Sequence, residues 1–393
     1  MPSIFTQVST RCGLPQANAP YGGTAIGNQV MQADNFKICR SITQLIFKWT
    51  NVKCNASPSI LDAGDQPFTL KAAVRYGGVT YPINFPEGRV ATIDPDEIVE
   101  SLPLNIVVPA GADIQLRWLI TYPTNPANWP FAVRYSAGWN QFGTGITDDV
   151  DTTATYFTQN GTPVTINPPF QILGNSNYKK SVQIDGDSIT VGGDVDAYGV
   201  NYGYVQRALV ASGIPFVVNG GASGTLANML ETGFGTTPAQ KARRRIAHHG
   251  DGNISHVFCA IGSADFASGR TDVQVLAYLN QYKAELDVKG IKLVPFAYLP
   301  RTNAANNAKA DSDSVNVWTY LQNVRDYFVT NNGVGYGVID ANLIARAAGN
   351  VNLFRNDLGT PTLDGIHPQA VIHDALTTYT TQSGAAITGI WTP

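Results

Sequence analysis

Ser181-Val182-Gln183-Ile184-Asp185-Gly186-Asp187-Ser188-Ile189-Thr190 is the stretch on which the reading of this chain turns. Its first half is apolar enough for a strand. Its second half is a Gly-flanked turn, followed by Val191-Gly192-Gly193 and a helix-like segment from about Tyr198. A serine on such a turn is held clear of the sheet, near the positive end of the helix dipole. Far downstream, Asp364-Gly365-Ile366-His367-Pro368 sets a carboxylate three residues before an imidazole. A serine, a histidine and an orienting carboxylate are what acyl transfer at neutral pH requires.

Working outward, the two halves of the chain have different periods. From Lys179 onward, apolar runs (181–186, 214–219, 255–261, 291–298, 336–340) alternate with helix-like segments (198–211, 237–248, 271–288, 312–331, 369–382). This alternation predicts an α/β domain, a parallel sheet with helices on both faces, whose ligands sit at the carboxyl ends of the strands. Residues 1–175 read instead as β. Ile114, Leu116, Trp118 and Ile120 alternate with Gln115, Arg117 and Leu119; Leu70, Ala72, Val74 and Tyr76 alternate with Lys71, Ala73 and Arg75; Leu45, Phe47 and Trp49 do the same. Period two with one apolar face predicts half-buried antiparallel strands. Gly77-Gly78, Pro86-Glu87-Gly88 and Pro109-Ala110-Gly111 separate them as turns. The expected organisation is an all-β, jelly-roll-like sandwich over 1–175, joined through a Thr-, Asn- and Pro-rich connection at 148–178 to the α/β domain over 176–393.

The totals fit two domains: 393 residues, 44% apolar, 14% charged, formal net charge −3. Nothing global attracts nucleic acid or an anionic membrane. Low charge with much Asn, Thr, Gly and Ser is common in secreted, cell-surface and virion proteins, so an extracellular or virion-associated place is favoured on composition alone, without a signal peptide or membrane-spanning stretch in this chain. The compartment and oligomeric state stay open. Of four cysteines, Cys12, Cys39 and Cys54 leave room for a disulfide, and Cys259 in an apolar run reads as an inert core thiol. No spacing suggests a metal site, and no cofactor is implied.

Residues 179–385 resemble the SGNH (GDSL-type) hydrolases, a family with four short blocks in fixed order. Gly186-Asp187-Ser188-Ile189 resembles the nucleophile block, with Ile for Leu; Asn219-Gly220-Gly221-Ala222-Ser223-Gly224 resembles the glycine block; Asp364-Gly365-Ile366-His367-Pro368 resembles the Asp-x-x-His block. The resemblance implies a flavodoxin-like sheet and a catalytic triad of Ser188, His367 and Asp364. It also implies an oxyanion hole formed by the backbone N–H groups of Ser188 and Gly221, with Gly220 the neighbouring alternative. The third block departs. Where the family reads Gly-x-Asn-Asp, this chain has Gly262-Ser263-Ala264-Asp265. Ala264 cannot donate a hydrogen bond, and losing one oxyanion donor typically costs about 100- to 1,000-fold in turnover. Three readings stay open: backbone donors alone suffice, Ser263 or Asn228 fills the gap, or the site is impaired.

The expected activity is hydrolysis of short-chain O-acyl esters, O-acetyl first, on a small-molecule or polysaccharide substrate. The carbohydrate preference comes from an architectural resemblance to carbohydrate esterases that carry a β-sandwich before an SGNH domain. A general lipid or aryl esterase, and an impaired glycan-binding or particle-associated protein, are the alternatives. Other features read as structure. Asp187 is a hydrogen-bonding partner of the turn. His248, His249 and His256 are surface or core histidines, not zinc ligands. Lys241 and Arg243-Arg244-Arg245 form a solvated helix face, and Trp139, Tyr198 and Trp318 serve packing.

Overall fold

A computed structural model of the chain describes residues 5–9, 12–13, 16–17, 27–55, 61–63, 66–124, 126, 130–132, 139–152, 165–166, 168–176, 180–187, 189, 203–218, 253–308, 316–331 and 337–383. The chain divides into two compact units. One comprises Met1–Ala56, Ile60–Ser181 and Pro215–Val218; the other comprises Ser57–Ser59, Val182–Ile214 and Asn219–Pro393.

The first unit contains two antiparallel sheets and a mixed one in which Gln16–Ala17 pairs in parallel with Val52–Asn55. A six-stranded sheet runs Val90–Ile93, Phe68–Tyr76, Asp113–Thr121, Gln29–Lys37, Trp139–Gly143, with Val79–Pro82 also paired to Phe68–Tyr76. A five-stranded sheet is centred on Ile42–Thr50, flanked by Gln171–Gly174 on one edge and by Ile98–Glu100 and Leu104–Val108 on the other. The apolar alternations mark inward faces: Ile114, Leu116, Trp118, Ile120, Leu70, Ala72, Val74, Leu45, Phe47 and Trp49 are all buried.

The expectation of half-buried strands needs correction on the six-stranded sheet. Gln115 and Arg117 are buried as well, Arg117 being only 1% exposed. The segment 146–152, read in the sequence from 148 onward as the start of a connection, covers this face. Arg117 Nη1 donates to the Thr152 carbonyl (2.9 Å) and Nε to Gln115 Oε1 (2.9 Å). Lys71 Nζ lies 2.6 Å from Asp148 Oδ2 and 2.8 Å from Asp151 Oδ2, Arg89 also pairs with Asp151, and Val150 packs on Met31 and Ala73. Long cationic side chains lay their stems along the sheet and meet carboxylates at its rim. Cys12, Cys39 and Cys259 stand as buried thiols. Burial pushes Cys12 up to about 12 and Cys39 up to about 11, so all are poor nucleophiles.

The second unit contains the parallel strands Val182–Asp185, His256–Cys259 and Lys292–Pro295, in register from Val182↔His256↔Lys292 to Asp185↔Cys259↔Pro295. The first two are buried along their whole length, as strands covered on both faces must be. Among the described residues of the run at 336–340, Ile339 forms a parallel bridge to Phe296. Helix Asp272–Val288 begins at Thr271, which caps Gln274 N while the Gln274 side chain returns to Thr271 N, a capping box. Its buried face, Val275, Leu279, Tyr282 and Leu286, keeps the i, i+3/i+4 spacing. It packs in one cluster with Val317, Leu321, Val324 and Phe328 of helix Val317–Thr330. Helix Ala341–Ala345 and the hairpin Arg346–Ala347/Asn350–Phe354 were not foreseen in the sequence. The predicted helix 237–248 lies outside the described residues.

Helix Ala370–Ser383 carries His373, which is 0% exposed, against Tyr204 of helix Tyr204–Ala211. Neither ring nitrogen has a hydrogen-bond partner among the described residues. Burial, with Arg207 and His367 adding to it against Asp374, lowers its pKa from 6.5 to about 3. Unfolding frees the imidazole to take a proton at its ordinary pKa. Stability contributed by the neutral ring is therefore present above pH 6.5 and is lost as pH falls towards 3. His373→Phe keeps the ring packing and removes the titration, so the loss of urea midpoint between about pH 7 and pH 4.5 should be smaller in the variant than in wild type.

Candidate active site

The strand Val182–Asp185 ends in a buried polar anchor. Asp185 is fully buried; the Gln183 amide donates to both its oxygens (2.9 and 3.0 Å) and Tyr282 OH donates to Oδ2 (2.6 Å). This fixes the strand end to helix Asp272–Val288. The chain then turns, and Asp187 Oδ1 accepts the Ile189 N–H at 3.0 Å, bracketing Ser188. Asp187 is thus a partner of the turn, as expected from the sequence. Ser188, Gly220, Gly221 and Asn228 lie outside the described residues.

The third block follows strand His256–Cys259. Gly262 sits at φ +135°, where a Cβ would fall 2.0 Å from Tyr298 OH, and that hydroxyl donates to the Ile261 carbonyl (2.9 Å). Ser263 opens the short helix Ser263–Ala267 and is 4% exposed, with Arg301 Nη1 3.5 Å from its Oγ. Asp265, on the same helix, is fully buried near Arg270 Nε (3.5 Å). Ala264 presents only a methyl.

The fourth block is held by its glycine. Gly365 has φ +84°, and a Cβ there would lie 2.0 Å from the Thr302 carbonyl oxygen. Its carbonyl accepts from Thr302 N (2.8 Å) and Oγ1 (3.1 Å), and its N–H donates to Thr362 Oγ1 (2.8 Å). Within this clamp Asp364 Oδ1 accepts the N–H groups of Ile366 and His367, both at 2.8 Å, and Oδ2 lies 2.6 Å from His367 Nδ1. Partial burial pushes the Asp364 carboxyl up, but the two N–H donors and the His367 ring outweigh it and hold its pKa below the ordinary 3.8. The His367 ring is thus engaged by the carboxylate through Nδ1.

A small cavity at the carboxyl ends of the three strands is lined by Asp187 and Ile189, the two neighbours of Ser188, and by Ser263, Tyr204, Phe296 and Tyr298. Burial raises the pKa of both tyrosines, so they remain neutral there. Arg301, Thr302 and Tyr298 are the residues that sequence reasoning missed. The signal was present in their position, just past the carboxyl end of the apolar run 291–298. Among the other candidates, His256 is buried in its strand with Nδ1 2.8 Å from Ser255 Oγ, and Trp318 Nε1 donates to the Arg301 carbonyl (2.7 Å). Tyr198, His248, His249, Lys241 and Arg243 to Arg245 lie outside the described residues. No cluster of three or more metal-ligating side chains exists among the described residues, and none of their helices is long and apolar enough to cross a membrane.

No family model matches the sequence, and no curated protein does. The chain is similar to several solved structures. One is a GDSL-like lipase from Bacteroides thetaiotaomicron VPI-5482, with 16% identity over 52% of this chain and 87% of that one, TM-score 0.36. A second is the lipase/acylhydrolase from Enterococcus faecalis, with 14% identity over 52% and 94%, TM-score 0.35. A third is an active-site mutant of a family two carbohydrate esterase from Clostridium thermocellum, with 11% identity over 94% of this chain and 97% of that one, TM-score 0.37. GDSL-type lipolytic proteins and a carbohydrate esterase are thus among the structures that this chain is similar to.

Proposed function

We propose that this chain is a serine esterase of the SGNH type that hydrolyses short-chain O-acyl esters, O-acetyl groups on carbohydrate first among them. The observation that carries the reading is the Asp364–His367 pair, with a carboxylate oxygen 2.6 Å from Nδ1 and the other oxygen saturated by two backbone N–H groups. Such a carboxylate holds the imidazole in one tautomer and stabilises its charged form. In the proposed cycle His367 takes the proton of Ser188 Oγ as it attacks the ester carbonyl. Backbone N–H groups of Ser188 and Gly221 bind the oxyanion, the protonated imidazole returns the proton to the leaving alcohol, and water releases the acyl group by the reverse route. The small cavity beside Asp187 and Ile189 favours a short acyl chain. In this reading residues 176–393 form the catalytic domain and residues 1–175 a jelly-roll-like accessory domain. A second reading, an impaired glycan-binding or particle-associated protein, draws on Ala264 alone.

Hydrolysis of p-nitrophenyl acetate and butyrate tests the reading. Wild type should turn over acetate faster than butyrate, and Ser188→Ala should fall to background with an unchanged melting temperature. Activity retained in that variant would remove Ser188 from the chemistry. A second expectation follows from the depressed Asp364 pKa. The stability it contributes is present above pH 3.8 and is lost only as pH falls through the lower folded value. Asp364→Asn should therefore lower the melting temperature equally at about pH 5 and pH 8, with the gap closing in stronger acid, while kcat falls about 10,000-fold at neutral pH.

A further inference from the structure

Position 264 offers no hydrogen to an oxyanion, but the residue before it does. Ser263 is 4% exposed and lines the cavity shared by both neighbours of Ser188. Its Oγ accepts from Arg301 Nη1 at 3.5 Å. A hydroxyl whose lone pair faces a guanidinium must turn its O–H away from that cation. Ser263 thus brings a buried hydroxyl donor to the lining of that cavity. Arg301 is itself 6% exposed and held on both sides: its carbonyl accepts from Trp318 Nε1 (2.7 Å), and the adjacent Thr302 clamps Gly365, the residue inside the Asp364–His367 loop.

We infer that Ser263 Oγ–H supplies the oxyanion hydrogen bond that Ala264 cannot, and that Arg301 is the positioning residue that aims it. This rests on the esterase reading above. When Ser188 Oγ bonds to the carbonyl carbon, the C=O π pair moves onto oxygen, and Ser263 donates a hydrogen bond to that oxygen without releasing its proton. The pair returns to re-form the carbonyl as the alcohol leaves. The guanidinium behind Ser263 polarises its O–H, and in a site with little water this effect is larger than in solution.

The test is p-nitrophenyl acetate hydrolysis by the full chain in wild type, Ser188→Ala, Ser263→Ala, Ala264→Asn, the Ser263→Ala/Ala264→Asn double variant, Arg301→Gln and Arg301→Lys. Ser263→Ala should lower kcat about 100- to 1,000-fold with KM within about threefold. Ala264→Asn should raise the rate far more in the Ser263→Ala background than in wild type, because the two donors then replace one another. Arg301→Lys, which keeps a donor and a charge, should retain more kcat than Arg301→Gln at similar KM. If the Arg301 variants fail to fold, the Ser263/Ala264 cycle decides alone. Ser188-dependent turnover that survives Ser263→Ala within about threefold, or equal gains from Ala264→Asn in both backgrounds, overturns the assignment and leaves the esterase reading intact. Absence of Ser188-dependent turnover in wild type overturns both.

Discussion

Two hydrogen bonds from Thr302 to the Gly365 carbonyl, at 2.8 and 3.1 Å, are the constraint on which the site depends. They join the segment that leaves strand Lys292–Pro295 to the loop carrying Asp364 and His367. The joint tolerates no side chain, because a Cβ on Gly365 would meet the Thr302 carbonyl oxygen at 2.0 Å. Once Gly365 is seated, the Asp364 carboxylate faces the N–H groups of residues 366 and 367, and its second oxygen meets the imidazole. Orientation of the histidine is thus decided by backbone geometry, which in the proposed esterase would be the form of preorganisation that lowers a barrier. Arg301 stands one residue before Thr302, so the same joint also fixes where its guanidinium begins.

What the sequence disclosed follows from how local each interaction is. The Asp364–His367 contact spans three residues and is suggested by its spacing together with the resemblance of its block. The alternation Ile114, Leu116, Trp118, Ile120 correctly named the inward side of its strand, because period two is a property of the backbone. The other side was misread. Arg117 is buried by the segment 146–152, which has no period, and nothing near residue 117 announces a cover lying some thirty-five positions ahead. The contact between Ser263 and Arg301 is 38 residues apart and joins the ends of two strands. Chain order shows that both residues sit at carboxyl ends, but only the lateral pairing of His256–Cys259 with Lys292–Pro295 makes them neighbours. The first unit had no block to quote, so its reading rested on pattern alone.

The charge distribution sharpens the point. Only 14% of the chain is charged, yet Asp185, Asp187 and Asp265 are all buried at or just past the carboxyl ends of two adjacent strands. Burying a carboxylate is expensive unless its oxygens are satisfied. Here the Gln183 amide and Tyr282 hydroxyl donate to Asp185, the Ile189 N–H donates to Asp187, and Arg270 Nε lies 3.5 Å from Asp265. Donors of this kind fix a carboxyl group's direction at the end of its strand. If Ser263, held against Arg301, serves an oxyanion as proposed, an asparagine at position 264 is one of several ways to complete such a site.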